Sequence, residues 1–125
     1  MPHRLAAGVG AYGERMAERY LRDRGMQILA RNWRCRFGEI DIVARDGDCL
    51  VVCEVKTRRG TTFGGPAQSV TVRKVARLRR LAAVWLQERQ GAGPVTYLGD
   101  VRVDVVGVAR PRSGPAVIEH LVGVG

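Results

Sequence analysis

The sequence has few histidines, cysteines and aromatic residues, and it has no long uninterrupted apolar run. Its 125 residues include two histidines and three cysteines, and 6% of them are aromatic. No stretch approaches the ~18 consecutive apolar residues that a membrane-spanning helix needs. Near the start of the sequence, glycines and charged residues interrupt the apolar run that a signal peptide requires. We therefore expect a cytoplasmic protein with no membrane partner and no cleaved leader.

The cysteines and histidines are too scattered to predict a zinc site. Cys35, Cys49 and Cys53 include no Cys-x-x-Cys pair, and His3 and His120 lie near opposite ends of the sequence. Zinc sites usually draw their ligands from such closely spaced pairs. Cys49 and Cys53 fall in an apolar run, where a reduced cysteine behaves as a small hydrophobic residue. We expect a reducing compartment and no zinc.

Length and composition are those of one soluble globular domain. The chain is 46% hydrophobic and 26% charged, and 125 residues can bury a core of ordinary size. We therefore treat residues 1–125 as a single domain. The 21 basic residues outnumber 12 acidic ones, which gives a net charge of +9. This excess indicates a polyanionic partner, chiefly nucleic acid, although solvated basic faces are also common.

The apolar spacing predicts an α/β fold. The order of elements is helix, three strands, helix and one or two strands, which is typical of a mixed sheet covered by helices. The second helix then forms a crossover that makes the next strand parallel to a neighbour. The predicted helices span residues 8–24 and 69–90, and the predicted strands span 26–35, 37–45, 49–57, 95–109 and 116–122.

Charged residues lie among the apolar positions of residues 38–56. A hairpin turn centred on Asp46 and Gly47 would pair Asp41 with Val52 and would place the charged positions on one face of the hairpin, at the ends remote from the turn. The charged residues on that face are Glu39, which opposes Glu54, then Asp41, Glu54 and Lys56, and the opposite face carries Ile40, Ile42, Val51, Cys53 and Val55.

Three carboxylates around one ammonium group are costly unless a cation joins them. In this register Asp41 and Glu54 are diagonal neighbours about 7–8 Å apart, near enough to share one divalent ion. Oxygen ligands suit Mg²⁺ or Mn²⁺. The alternative is an edge hairpin with a solvated face, whose charges form ion pairs of little energetic value. Val43, Leu50 and Val52 lie on the same face, which favours an apolar cover over part of it.

The use of lysine gives a second observation. Only Lys56 and Lys74 are lysines, and the other 19 basic residues are arginines. Lysine is a compact charge with a tunable pKa, so its place beside the acids suggests a role that a guanidinium cannot fill. Lys74 falls in the apolar stripe of the second predicted helix and should point toward the acids. Arg77 and Arg80 lie outside that stripe, on a phosphate-contacting surface or a solvated face.

These residues resemble the PD-(D/E)XK nucleases, particularly the archaeal Holliday-junction resolvases. The resemblance rests on Glu14, then Gly38-Glu39-Ile40-Asp41, then Glu54-Val55-Lys56. Over nearly its whole length the chain more closely resembles the YraN-like family of small bacterial proteins. The stretches that carry this resemblance are GERMAERYL, RFGEIDIVARDG, CEVKTR, FGGPAQSVTVRKVARLRRLAAVWL and VRVDVV, the last of which contains Asp104, a residue without assigned chemistry.

The resemblance implies a restriction-endonuclease-like fold and metal-dependent hydrolysis of phosphodiester bonds. Asp41, Glu54 and the Val55 carbonyl would hold Mg²⁺ or Mn²⁺. Lys56 would position or activate the attacking water, and Glu14 would complete the catalytic set from the first helix. The auxiliary or substrate-contacting residues implied in the same way are Glu39, Gln68, Lys74, Arg77 and Arg80.

Three classes of function remain open from the sequence. The leading hypothesis is a metal-dependent DNA endonuclease, with branched or otherwise structured DNA as a candidate substrate. A homodimer is a candidate assembly, since cutting two strands symmetrically needs two sites. The second hypothesis is a non-catalytic nucleic-acid-binding or adaptor module that keeps the nuclease-like fold. The third is a structural protein whose partner is another polypeptide.

Overall fold

The computed structural model describes residues 4–59, 71–91 and 99–125. Within these residues, none of the helices is long and apolar enough to cross a membrane. The predicted helix start at residue 69 and the predicted strand residues 95–98 lie outside the described residues. The elements in chain order are α1 (Arg4–Asp23), β1 (Gln27–Cys35), β2 (Gly38–Asp46), β3 (Cys49–Arg59), α2 (Val72–Gly91), β4 (Asp100–Arg110) and β5 (Val117–Leu121).

The five strands form one mixed sheet in the order β1-β2-β3-β4-β5. Three neighbouring pairs are antiparallel, and β3 and β4 are parallel. A parallel neighbour needs a long crossover connection, and α2 lies in that connection. The fold is therefore the restriction-endonuclease-like mixed sheet flanked by helices that the sequence predicts.

The two helices cover opposite faces of the sheet. Hydrophobic residues of each helix pack against alternate residues of the strands, so the interior strands are buried on both faces. The buried residues on the α1 face are Ala17, Leu21, Met26, Ile42, Ala44, Val51, Cys53, Val106 and Val108, and those on the α2 face are Ile40, Val43, Leu50, Val52, Val75, Leu78, Leu81, Ala82, Trp85 and Val103.

This packing decides between the two interpretations of the central hairpin. β2 and β3 are interior strands, and α2 covers the face that carries Val43, Leu50 and Val52. The alternative of a solvated edge hairpin is therefore wrong. The predicted face of Ile40 is also wrong, because Ile40 packs on the α2 face while Ile42 packs on the α1 face.

The reason for the misplaced Ile40 is an irregularity in the strands at Asp41. Residues two apart share a face in a regular strand, and Ile40 and Ile42 do not. On β1, Asn32 lies across from Asp41, between the pairs that the neighbouring residues form, and it has a φ of 49°. Asn tolerates this left-handed conformation better than most residues do. The alternation is therefore interrupted at the carboxylate that the sequence places in the site.

The hairpin between β2 and β3 turns one residue later than predicted. Asp46 pairs with Cys49, so the central residues are Gly47 and Asp48 rather than Asp46 and Gly47. Gly47 has a φ of 61°, and glycine at the first central position is typical of a type II′ turn. Asp46 stays in the strand, where it accepts a hydrogen bond of 3.1 Å from Arg102 Nη1. The register is shifted by two residues, which changes the partners but preserves the faces of the residues that pair.

Gly13 allows α1 to approach β3 closely. A Cβ atom at Gly13 would lie 1.7 Å from Thr57 Oγ1 and 2.8 Å from Thr57 Cβ. Only glycine can occupy this position without moving the helix or the strand. The contact fixes the distance between α1 and β3 at this point. Glu14 follows Gly13 on α1, and Lys56 precedes Thr57 on β3.

Asp104 is the centre of a buried polar cluster at the β4–β5 side of the sheet. Its side chain is fully buried and accepts hydrogen bonds at both oxygens. Oδ1 accepts from Arg102 Nε and from the Gly123 N–H, both at 2.9 Å, and Oδ2 accepts from Arg102 Nη2 at 3.0 Å and His120 Nε2 at 2.8 Å. Burial alone would raise the pKa of Asp104, but the hydrogen bonds from Arg102, Gly123 and His120 outweigh it and lower the pKa.

This cluster ties distant parts of the chain together. With Nε2 of His120 donating to Asp104, Nδ1 is left to accept from the Tyr20 hydroxyl on α1 at 3.3 Å. Arg102 also binds Asp46 at the end of β2. Asp104 therefore has a structural explanation.

We predict that Asp104→Asn lowers the free energy of unfolding by about 3–5 kcal/mol at pH 7, because Arg102 loses its buried anionic partner. The folded-state pKa of Asp104 is depressed below 3.8. The wild-type protein should therefore lose this stability as the pH falls below about 4, and the variant should depend less on pH there. Denaturant unfolding at several pH values measures both effects. Glu119→Gln, at an exposed position of β5, is the control, and an equal loss in both variants would contradict the structural role.

We also predict that Gly13→Ala lowers stability by about 1–3 kcal/mol, although alanine is the better helix former, because its Cβ collides with Thr57. Gly10→Ala is the matched control, since a Cβ there meets nothing within 4 Å. That control should gain about 0.4–1 kcal/mol. Thermal and denaturant unfolding of the two variants measure the difference, and a gain in both would refute the close contact.

Candidate active site

The site is built where β2 and β3 stop pairing. The ladder between the two strands ends at Ile42 and Cys53. Beyond this point β2 continues to pair with β1, and β3 continues to pair with β4. The two central strands therefore separate inside the sheet. We call this region the strand opening; it is bounded by residues 38–41 of β2 and residues 54–59 of β3.

The Asp41 carboxylate accepts a backbone hydrogen bond that has no partner where the β2–β3 ladder ends. The Val55 N–H donates to Asp41 Oδ2 at 2.8 Å. A buried N–H needs a partner, so this carboxylate satisfies a backbone group that the separation of the strands would leave unpaired. In a strand the N–H and C=O of one residue point to the same side. The Val55 carbonyl is therefore expected to face the strand opening as well.

Glu54, Lys56 and Lys74 form an ion-pair cluster on the α2 side of this opening. Glu54 Oε2 lies 3.8 Å from Lys56 Nζ and contacts Lys74 Nζ. The glutamate side chain is only 15% exposed, whereas that of Lys56 is 35% exposed. The hydroxyl of Thr71 accepts from the Lys74 N–H at 3.0 Å and so caps α2. The cap places Lys74 in the first turn of the helix, facing Glu54.

The pKa of Asp41 is raised from 3.8 to about 6. Burial is the largest cause, and the negative charges of Glu54, Glu14 and Glu39 raise the pKa further, while the hydrogen bond from Val55 opposes them. A carboxylate in these surroundings is costly to ionise, and a nearby cation would remove much of that cost.

The two lysines of the cluster differ in their electrostatics. Burial and then the ammonium group of Lys74 lower the pKa of Lys56. Burial would also lower the pKa of Lys74, but its interactions with Glu54 and Lys56 outweigh burial and raise it. Lys74 is therefore the firmly protonated partner of Glu54. Lys56 is more exposed and gives up its proton more easily.

The structure brings Glu14 to the same site and places Glu39 at its margin. Glu14 projects from α1, and its charge acts on Asp41. Glu39 forms an ion pair with Arg34 at 2.6 Å, and its side chain is 40% exposed. The predicted pairing of Glu39 opposite Glu54 is wrong, because the register is shifted by two residues and the strands have separated before this point.

The remaining predicted site residues are less closely placed. Arg77 is exposed, but its charge acts on Lys74 one turn earlier on α2. Arg80 is exposed one turn further on. Gln68 lies outside the described residues. Sequence reasoning missed Thr71, although a threonine directly before a helical apolar stripe is a standard signal of an N-cap.

The donors at the strand opening fit a divalent cation such as Mg²⁺ or Mn²⁺. Among the residues that the structure describes, no three His, Cys, Asp or Glu side chains are grouped closely enough to hold a metal ion. Mg²⁺ is, however, usually held by one or two carboxylates, with water completing its shell. Asp41 and Glu54 supply two. Glu54 Oε2 is buried, and its partners in the described part of the chain are both cations, the ammonium groups of Lys56 and Lys74.

Comparison with known proteins gives matches along most of the chain. The model of a family described as uncharacterised protein family UPF0102 matches residues 13–108. A UPF0102 protein of Kineococcus radiotolerans is 55% identical over 97% of this chain and 96% of its own length. A UPF0102 protein of Streptomyces coelicolor is 58% identical over 93% of this chain and 87% of its own length. The matched residues include every part of the strand opening.

We predict that Asp41→Asn stabilises the metal-free protein at pH 7.5 by about 1–3 kcal/mol. The folded-state pKa of Asp41 is about 6, against an ordinary value of 3.8. The folded state therefore binds more protons than the unfolded state between these values, and wild-type stability falls as the pH rises through that window. The asparagine should give no gain near pH 4.

Denaturant unfolding with a chelator present, at pH 4 and pH 7.5, checks this prediction. Asp48→Asn is the control, because the Asp48 side chain lies in the turn and is 94% exposed. A loss of stability in Asp41→Asn at pH 7.5 would mean that the carboxylate is not destabilised in the folded state.

Proposed function

We propose that this chain, which belongs to the UPF0102 family, the YraN family, is a metal-dependent endonuclease that hydrolyses phosphodiester bonds of DNA. The observation that carries the proposal is the strand opening, where Asp41, Glu54 and Lys56 converge between the two separated central strands. Clusters of titratable groups with perturbed pKa values are common at catalytic sites.

Asp41, Glu54 and the Val55 carbonyl would hold the cation. A bound Mg²⁺ or Mn²⁺ supplies a water of lowered pKa and neutralises negative charge on the phosphate. The raised pKa of Asp41 supports this assignment, since a cation would favour the ionised carboxylate. The hydrogen bond from Val55 holds that carboxylate in place.

The lysines and Glu14 have separate roles in this proposal. Lys56 is the more exposed lysine, and its ammonium group would orient the attacking water or a phosphate oxygen at the mouth of the strand opening. Its lowered pKa also suits it to exchange a proton with bound water. Glu14 would accept a hydrogen bond from the water on the α1 side. Lys74 holds the carboxylate of Glu54 in position through their ion pair.

DNA is the proposed substrate because of the charge of the chain. A net charge of +9 favours association with a polyanion, and this attraction weakens as salt is added. Arg77 and Arg80 are exposed on α2, where they would extend the positive surface next to Lys74. A protein of this charge would approach the phosphate backbone without any reading of the base sequence.

One contact favours a second candidate, a non-catalytic nucleic-acid-binding or adaptor module. Lys74 already neutralises Glu54, so the carboxylate has a cationic partner without any metal. In such a module the acids would have a structural purpose, and the basic surface would be the functional part. The two candidates differ in one outcome, which is whether DNA that the protein binds is also cut.

We predict metal-dependent cleavage that Glu54→Gln and Lys56→Ala each reduce by at least about 10²-fold, the scale of losing a positioned catalytic group. The assay uses labelled single-stranded, duplex, flap and four-way-junction DNA with Mg²⁺ or Mn²⁺, and with a chelator as the blank. The DNA form that is cut fastest identifies the substrate.

Glu88→Gln, at an exposed position of α2, is the matched control and should cleave as the wild type does. Circular dichroism of each variant separates loss of chemistry from loss of fold. Binding of any of these DNAs without cleavage in either metal would refute the nuclease and favour the adaptor module.

A further inference from the structure

An arginine-lined cleft lies at the end of β3 and β4. Its volume is about 690 Å³, and its lining residues are Arg59, Arg110, Pro111 and Arg112. The three arginines are exposed. Of the four described residues that line the cleft, three carry a full positive charge and none carries a negative one.

The fold forces these charges together. Arg59 and Arg110 are direct neighbours in the parallel register of β3 and β4, where like charges destabilise the pairing. In the described part of the chain, neither residue forms an ion pair with a carboxylate, and neither does Arg112. The guanidinium of Arg110 instead lies over the ring of Tyr12, 4.9 Å from its centre. An anion in the cleft would offset the repulsion.

The cleft is joined to the strand opening by two elements. On β3, Arg59 follows Lys56 by three residues, about 10 Å along the strand, and points to the opposite, α1 face. On α1, Tyr12 precedes Glu14 by two residues, and the intervening Gly13 contacts Thr57 of β3. Each element thus carries one residue of the candidate site and one residue that lines or supports the cleft.

A second basic cleft, on α1 and β1, has a different character. Its volume is about 460 Å³, and its arginines are interleaved with Glu18 and Asp23. Glu18 forms ion pairs with Arg22 at 2.9 Å and with Arg31 at 3.1 Å. Its positive charge is therefore partly neutralised within the protein. This cleft on α1 and β1 therefore provides a control surface, because its arginines are exposed like those of the cleft at β3 and β4.

We propose that Arg59, Arg110 and Arg112 bind the phosphate backbone of the DNA whose scissile phosphate lies at the strand opening. This inference rests on the proposed function. The bound backbone would pass the end of β3, from Lys56 on the α2 face to the arginines on the α1 face. Guanidinium groups suit this role because each can donate two parallel hydrogen bonds to the oxygens of one phosphate.

The test measures binding of a labelled duplex DNA between about 50 and 200 mM salt, with a chelator present so that no DNA is cut. The wild type is compared with the triple variant Arg59→Gln, Arg110→Gln, Arg112→Gln. Each lost phosphate contact makes the slope of log K against log salt shallower by about 0.9, so the triple variant should differ by about 2–3. The control is Arg15→Gln, Arg19→Gln, Arg22→Gln, which removes the same charge from the other cleft.

A shallower slope in the cleft variant, with the control close to wild type, supports the inference. Equal changes of slope in both variants would show that only net charge matters, and no change in the cleft variant would mean that the phosphate contacts lie elsewhere. Either result would overturn the inference. A wild-type protein that does not bind the DNA would overturn it as well. Because no metal is needed, this outcome is independent of cleavage. If the slopes differ as expected but no DNA is cut in the metal-dependent assay, the nuclease proposal is refuted and the proposed binding surface is retained.

Discussion

The hydrogen bond from the Val55 N–H to Asp41 is the interaction on which the site depends. Two central strands can separate inside a sheet only if the backbone groups that they release find other partners. Asp41 provides one such partner, and its carboxylate must be buried to do so. Burial raises its pKa and makes the adjoining space favourable for positive charge. The position of Lys56 and Lys74 beside Glu54 follows the same electrostatic requirement.

Two aspartates of this protein illustrate opposite solutions to the same problem. Asp104 is fully buried, but Arg102, His120 and the Gly123 N–H complete its hydrogen bonds, so its pKa is lowered and it stabilises the fold. In the described part of the chain Asp41 has one backbone donor, and burial together with several acidic neighbours raises its pKa. The first arrangement is complete within the protein. The second leaves negative charges close together, and groups with such perturbed pKa values are more frequent at functional sites.

The strands and their faces were largely predictable from the sequence, because apolar alternation survives an error of two residues in register. The turn at Gly47 and Asp48 shifted every partner of β2 and β3, yet Glu54 stayed on the α2 face with Val52. The face of Ile40 was not predictable, since it depends on the irregular backbone opposite Asn32. The Asp104 cluster was not predicted, because His120, the Gly123 N–H and Tyr20 come near it only in the folded chain.

The sequence separation of these contacts has a consequence for the order of folding. Asp41 and Val55 are 14 residues apart, whereas Tyr20 and His120 are 100 residues apart. Closing the longer loop costs about 1.7 kcal/mol more in chain entropy, and local contacts generally form sooner. The central hairpin can therefore assemble its acids before β5 has docked and before the Asp104 cluster fixes α1 to the far strand. The candidate site therefore includes a comparatively local contact of the central hairpin, whereas α1 is joined to β5 by a contact between distant parts of the sequence.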